Sequence, residues 1–202
     1  MHDQDTEILD MEASSHRGIG AEQGDKSAHT RPSVAPGRSE FFLETEAWSE
    51  VMAAVLAAMR EGTKAVLVEG DSGSGKSVFL SRLAATVSSA CVLELRYPFG
   101  EAALCSRLAQ AFGATREGTA ELAAVISRRA DHGVLIAVDD AHNLSPFALR
   151  ALLDLQRMVA QQGGVLSLVL SAPPGELQRR IQLLPAFAPY RSDALAVFSL
   201  PA

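Results

Sequence analysis

Residues 70–77 read "GDSGSGKS": Gly70, then Asp71, Ser72, Gly73 and Ser74, then Gly75, Lys76 and Ser77. The stretch follows "AVLVE" (65–69), a short apolar run with the length of a buried strand. It precedes "VFLSRLAATV" (78–87), which has helical spacing. A glycine-rich segment leaving a strand and entering a helix aims successive backbone N–H groups, and the helix N-terminus, at one small volume. Glycine lets the backbone turn that tightly. A lone glycine-rich turn would say little. The full G-x4-G-K-S pattern in a strand–loop–helix context points to phosphate: Gly70 to Val78 cradle it, Lys76 neutralises it, and the Ser77 hydroxyl is placed for Mg²⁺.

Outward from this loop the chain alternates. "ETEAWSEVMAAVLAAMREG" (44–62) puts Trp48, Val51, Met52, Val55, Leu56 and Met59 on one helical face, with Gly62 closing it. After the loop come a strand at "ACVLELRY" (90–97) and helices at "GEAALCSRLAQAFG" (100–113) and "GTAELAAVISRRADHG" (118–133). A third strand is "VLIAVDD" (134–140). Ser145 and Pro146 then supply an N-cap and a first-turn proline for a helix over 146–164. "VLSLVLS" (165–171) is a fourth strand, "GELQRRIQLL" (175–184) a helix and "ALAVFSL" (194–200) a fifth strand. Strands apolar on both faces that alternate with helices predict an α/β fold, a parallel sheet with helices on each side.

The third strand ends in two acids. A nucleotide held on the loop needs its metal held from a neighbouring strand, and Asp139 stands where a carboxylate would do so, while Asp140 stands where one would orient attacking water. Two aspartates after a strand can equally begin a polar loop. Their pairing with the glycine loop upstream favours the chemical reading.

The first 38 residues have a different texture. They are rich in Ser, Gly, His, Asp and Glu, carry Pro32 and Pro36, and show no sustained period beyond "TEILDME" (6–12). This composition predicts a disordered arm over 1–38 and a folded domain over 39–202. The chain is 202 residues long and 48% hydrophobic, enough for a real core. Its net charge of −6 argues against a nucleic-acid surface. Cys91 and Cys105 lack metal-ligand spacing and read as buried thiols, which fits a reducing compartment. The start "MHDQDTEILDMEASS" lacks the pattern of a secretory signal, and "VMAAVLAAM" (51–59) is far short of the ~20 residues a membrane span needs. A soluble, cytoplasmic protein is expected.

From Phe41 to Leu200 the sequence resembles the AAA+ ATPases of the ExeA/GspA type, which serve bacterial secretion and envelope assembly. It also resembles the ATPase-like domains of DamX-type proteins and, less closely, the MuB/TniB transposition ATPases. The resemblance rests on "FF" before an amphipathic helix, "REGTKAVLVEGDSGSGKS", "LELRYPFGEAALCSRLAQAFG", "VLIAVDDAHNLSPFALRALLDL" and "LSLVLSAPPGELQRRI", in that order. It implies a five-stranded P-loop sheet of spatial order 5-1-4-3-2, with the fourth strand inserted beside the loop strand and a polar sensor near Ser171. It also implies ATP and Mg²⁺ as cofactors and a protein partner in an envelope or secretion assembly. Homo-oligomers and recruitment to the inner membrane by a partner are part of the same expectation.

Three departures bear on activity. The family has Asp-Glu where this chain has Asp139-Asp140, so the second carboxylate falls roughly 1–1.5 Å short, and a misplacement of that size can cost ~10²-fold. Ala172 stands where a Gln is usual, leaving Ser171 as its substitute. Relatives continue into a small helical lid whereas this sequence stops at Ala202, so a fragment or a lidless protein is expected. Weak hydrolysis, or nucleotide-gated holding of a partner without turnover, follows from these departures. His142 could orient water or pack beside the next helix. Arg179, Arg180 and Arg191 are candidates for a finger reaching a neighbouring subunit, or a solvated basic face. Arg128 and Arg129 could join a DNA-facing patch, the weakest of these readings. Phe41 and Phe42 could lie near the base or pack on the sheet.

Overall fold

The computed structural model describes residues 45–61, 65–94, 98–115, 118–129, 133–185, 187 and 195–201. The proposed arm over 1–38, the boundary at 39, Phe41, Phe42, Gly62 and Arg191 lie outside the described residues. Five strands form one all-parallel sheet: β1 (Ala65–Glu69), β2 (Ser89–Glu94), β3 (Val134–Asp139), β4 (Leu166–Ala172) and β5 (Leu195–Ser199). Their order is β2-β3-β4-β1-β5, which is the expected order read from the other edge. β4 is inserted between the loop strand and the acidic strand, pairing Val66 with Val169 on one side and Ile136 with Leu168 on the other.

The period-two alternation of strand side chains sorts the core into two layers. Val66 and Val68 of β1, Leu135 and Ala137 of β3, and Val169 of β4 face α1 (Glu46–Glu61) and α2 (Lys76–Ala85). Ala65, Leu67, Ile136, Val138, Leu168 and Leu170 face the opposite way. They meet α3 (Glu101–Phe112), α4 (Thr119–Ser127), α5 (Pro146–Gln161) and α6 (Glu176–Leu183). The six apolar residues expected on one face of α1 do lie on one face: Trp48, Val55 and Met59 are buried, and Val51, Met52 and Leu56 pack partly against the same layer. Trp48 meets Phe79 of α2 edge to face, centroids 5.2 Å apart, and the Arg82 guanidinium lies 5.3 Å from the indole centroid.

Ser145 caps α5 as the sequence predicts, its Oγ accepting the Ala148 N–H at 3.1 Å ahead of Pro146. Other expectations need correction. Burial on both faces holds for β1 and β3 and almost wholly for β4, but not for the edge strands, where β2 and β5 are partly exposed and Val197 is 40% exposed. An edge strand has one neighbour in the sheet and incomplete helix cover, so its apolar sequence alone does not bury it. α4 stops at Ser127, and Arg128 and Arg129 lie exposed beyond it. Cys91 is buried, which pushes its thiol up to about 11, whereas Cys105 is only half-buried.

Candidate functional site

In a parallel sheet the loops after every strand leave from one end. The glycine loop after β1 and the acids after β3 therefore share an end of the sheet, separated by β4 alone. Gly70 is buried and its N–H donates to the Ala172 carbonyl of β4 at 3.3 Å. A Cβ at Gly70 would lie 2.4 Å from Ser74 Oγ and 3.2 Å from Ser74 Cβ, so a side chain here would force Ser74 to shift. Gly73 and Gly75 take φ of +89° and +86°, the left-handed region, and Gly75 is the N-cap of α2. Ser74 N donates to the Asp71 carbonyl at 3.2 Å, which closes the turn.

Lys76, the first residue of α2, sends its Nζ back to the Gly70 and Asp71 carbonyls, at 2.7 Å each. Asp71, Ser72, Gly73 and Ser77 are exposed, while Ser74, Gly75, Lys76 and Val78 are half-buried. Ser74 Oγ itself is buried with no partner among the described residues. No acidic residue stands in the first turn of α2 to cancel the positive end of its dipole. The loop therefore offers a cation, free hydroxyls and a helix N-terminus in one small volume, and these suit an anionic phosphate group.

The acidic end is assembled differently. Asp139 is buried at 6% exposure, and its Oδ1 accepts both the Ser171 hydroxyl at 2.5 Å and the Asp140 N–H at 3.1 Å. Ser171 Oγ accepts the same Asp140 N–H at 3.1 Å. Asp140 adopts φ +53° and ψ +45°, the single non-glycine residue with positive φ among those described. Asp tolerates this region better than most residues because its short side chain can bond locally. A short 3-10 turn, Ala141–Asn143, follows, with Asn143 N donating to the Asp140 carbonyl at 2.8 Å. The backbone of Phe99 bonds both flanks of this turn, to Asn143 O and from Ser145 N, at 2.8 Å each. His142 Nδ1 is buried without a hydrogen-bond partner among the described residues and lies 4.0 Å from Asp140 Oδ1.

Two further side chains join the site from β1 and α6. Glu69, the last residue of β1, is 6% exposed, and its Oε1 accepts the N–H of Gly175, the N-cap of α6, at 2.8 Å. Arg180 of α6 donates through Nη1 to the His142 carbonyl at 2.6 Å. Glu69 was open to sequence reading, as an acid ending an otherwise apolar strand one residue before the glycine loop. The target of Arg180 had no signal in sequence. Ala172, in place of a polar residue, is fully buried beside Glu69 in the β1–β4 register. Arg179 is exposed. Ser77 and Asp139 are both oxygen donors, the ligand type that Mg²⁺ takes, and both bonds recorded on Asp139 fall on Oδ1.

A model of the AAA domain matches residues 59–181, from the end of α1 into α6. No curated protein matches the sequence. Among solved structures the chain is similar to Cdc6p from Pyrobaculum aerophilum, at 17% identity and TM-score 0.59 over 79% of this chain and 48% of that one. It is also similar to the ORC2 protein of Aeropyrum pernix in its ADP form, at 14% identity and TM-score 0.56 over 81% and 51%. A Walker-type ATPase of Pyrococcus abyssi gives 14% identity and TM-score 0.53 over 74% and 53%. The chain spans about half the length of these structures, and at such identities the likeness is one of fold. The chain belongs to the AAA domain family, a nucleotide-binding ATPase fold.

Proposed function

We propose that this chain binds ATP with Mg²⁺ on the Gly70–Val78 loop and hydrolyses it slowly, and that the cycle drives or regulates a protein assembly of the bacterial envelope or secretion type. The observation that carries the reading is the pairing of the Lys76 loop with the Asp139-Asp140 turn at one end of a parallel sheet. Lys76 exchanges its loop carbonyls for phosphate oxygens. Ser77 and Asp139 hold Mg²⁺, which when bound neutralises charge on the phosphates. Asp140 positions the attacking water. The envelope or secretion role, with its protein partner and homo-oligomer, rests on the ExeA/GspA-type sequence resemblance. No described helix is long and apolar enough to cross a membrane. The proposed cytoplasmic site of action, with a partner bringing the chain to the inner membrane, rests on the same resemblance.

A second reading has its own support. Asp140 is one methylene shorter than Glu, its backbone is turned left-handed, and Ser171 is already bonded to the Asp139 carboxylate and the Asp140 N–H. A chain built this way would bind nucleotide and hold a partner in one shape without useful turnover. The two readings separate in one experiment, in which phosphate release from Mg-ATP and nucleotide affinity are measured on the same sample, with Lys76→Ala and Asp140→Glu alongside. The ATPase reading expects turnover that Lys76→Ala abolishes and Asp140→Glu raises. Tight binding with no release in either the parent or Asp140→Glu leaves the scaffold. A MuB-like role would appear instead as ATP-dependent, salt-sensitive binding to DNA.

A further inference from the structure

We propose that Arg180 is a positioning residue for Asp140, acting within its own chain through the carbonyl of His142; the inference rests on the ATPase reading for its kinetic arm only. α6 is eight residues long and buries just Leu177 and Ile181, so apolar packing alone holds it weakly. Two polar ties fix it instead. At its start the buried Glu69 carboxylate takes the Gly175 N–H at 2.8 Å, which joins α6 to the strand that feeds the glycine loop. Further along, Arg180 Nη1 reaches the His142 carbonyl at 2.6 Å, which joins α6 to the turn carrying Asp140. α6 thus spans the two halves of the site.

The second tie falls where it controls geometry. Asp140 sits at φ +53°, a conformation that persists only where its surroundings over-determine it. Its N–H is held by Asp139 and Ser171, and its carbonyl by Asn143. The Asn143 carbonyl is taken by Phe99. The carbonyl of His142 is the acceptor of the turn that a cationic side chain holds, and charge-assisted bonds are roughly twice as strong as neutral ones. With the tie lost, the turn can relax and the Asp140 carboxylate moves with it. The same tie commits a guanidinium nitrogen inside the chain, against a finger role toward a neighbouring subunit.

The test uses the full chain with Arg180→Ala and Arg180→Lys. Nucleotide affinity, kcat, melting temperature and backbone hydrogen exchange over 140–144 and 70–77 are measured for each. Arg180→Ala should lower kcat by ~10-fold or more, within the ~10²-fold that a misplacement near 1 Å costs, while affinity stays within about twofold. Exchange should quicken by about tenfold over 140–144 and stay unchanged over 70–77. Arg180→Lys, which keeps a cationic donor, should recover part of both effects. Unchanged exchange over 140–144 overturns the proposal, and so does a fall of kcat, affinity and melting temperature together. So does recovery of turnover when Arg180→Ala and Lys76→Ala chains are mixed, since that is the signature of a finger acting between subunits. A parent chain without turnover removes the ATPase reading by itself, and the exchange measurement then decides the tie alone.

Discussion

The glycine loop and the acidic turn sit at the same end of the sheet, yet they are held by different means. The loop holds itself: Lys76 bonds the carbonyls of Gly70 and Asp71, Ser74 bonds Asp71, and the two left-handed glycines lie within the same eight residues. One bond, Gly70 N–H to Ala172, fixes it to β4. The turn is held from outside. Ser171 comes from β4, Arg180 from α6 and Phe99 from the segment before α3. A local device tolerates change elsewhere in the molecule, whereas an assembled one inherits every change in its neighbours.

Substitutions can break or sharpen that contrast. The largest effect belongs to Lys76→Ala, which removes the loop's cation; phosphate release should fall by ~10³-fold, the scale of losing a preorganised charge at a phosphoryl group, while exchange over 140–144 is unmoved. Asp140→Asn comes next. Asn accepts the left-handed backbone, so the melting temperature should hold while turnover falls by ~10²-fold, and loss of fold instead would mean the carboxylate is structural.

Ser171→Ala removes a donor to Asp139 and an acceptor for the Asp140 N–H, and should cost ~1–3 kcal/mol in denaturant unfolding. Combined with Arg180→Ala, its effect on turnover should be non-additive because both act on one turn. Combined with Lys76→Ala, its effect on stability should add. Additivity in the first pair would break the comparison. The smallest effect is Gly75→Ala, a change of ~1–2 kcal/mol from placing a side chain at φ +86°, which should appear in unfolding and in nucleotide affinity together.

The same contrast explains what could be read in the sequence. The shape of the Gly70–Ser77 loop was legible because the residues that make the turn and the bonds that hold it are contiguous. The helix-covered parallel sheet and the Ser145 cap were legible for the same kind of reason, since alternation and capping are local patterns, whereas the strand order came from the family resemblance and not from any local pattern. Asp139 was legible as the end of an apolar run. The hidden part was whatever depends on one segment meeting another. The left-handed turn of Asp140 follows from bonds to β3 and β4. The partner of Arg180 lies 38 residues earlier in the chain, and that of Gly175 lies 106 residues earlier. Burial of β2 and β5 depends on which strands lack a second neighbour, which sequence periodicity does not record.

Trp48 is the protein's one tryptophan, and it lies edge-on to Phe79, three residues past the lysine that opens α2. Arg82, one turn further along α2, stands over its ring. Indole emission responds to nearby charge and to the packing of its neighbours, so a shift of α2 would change the light the molecule gives off. The chain therefore carries its own unlabelled optical gauge, and a nucleotide titration followed at that wavelength would read α2 without dye or tag.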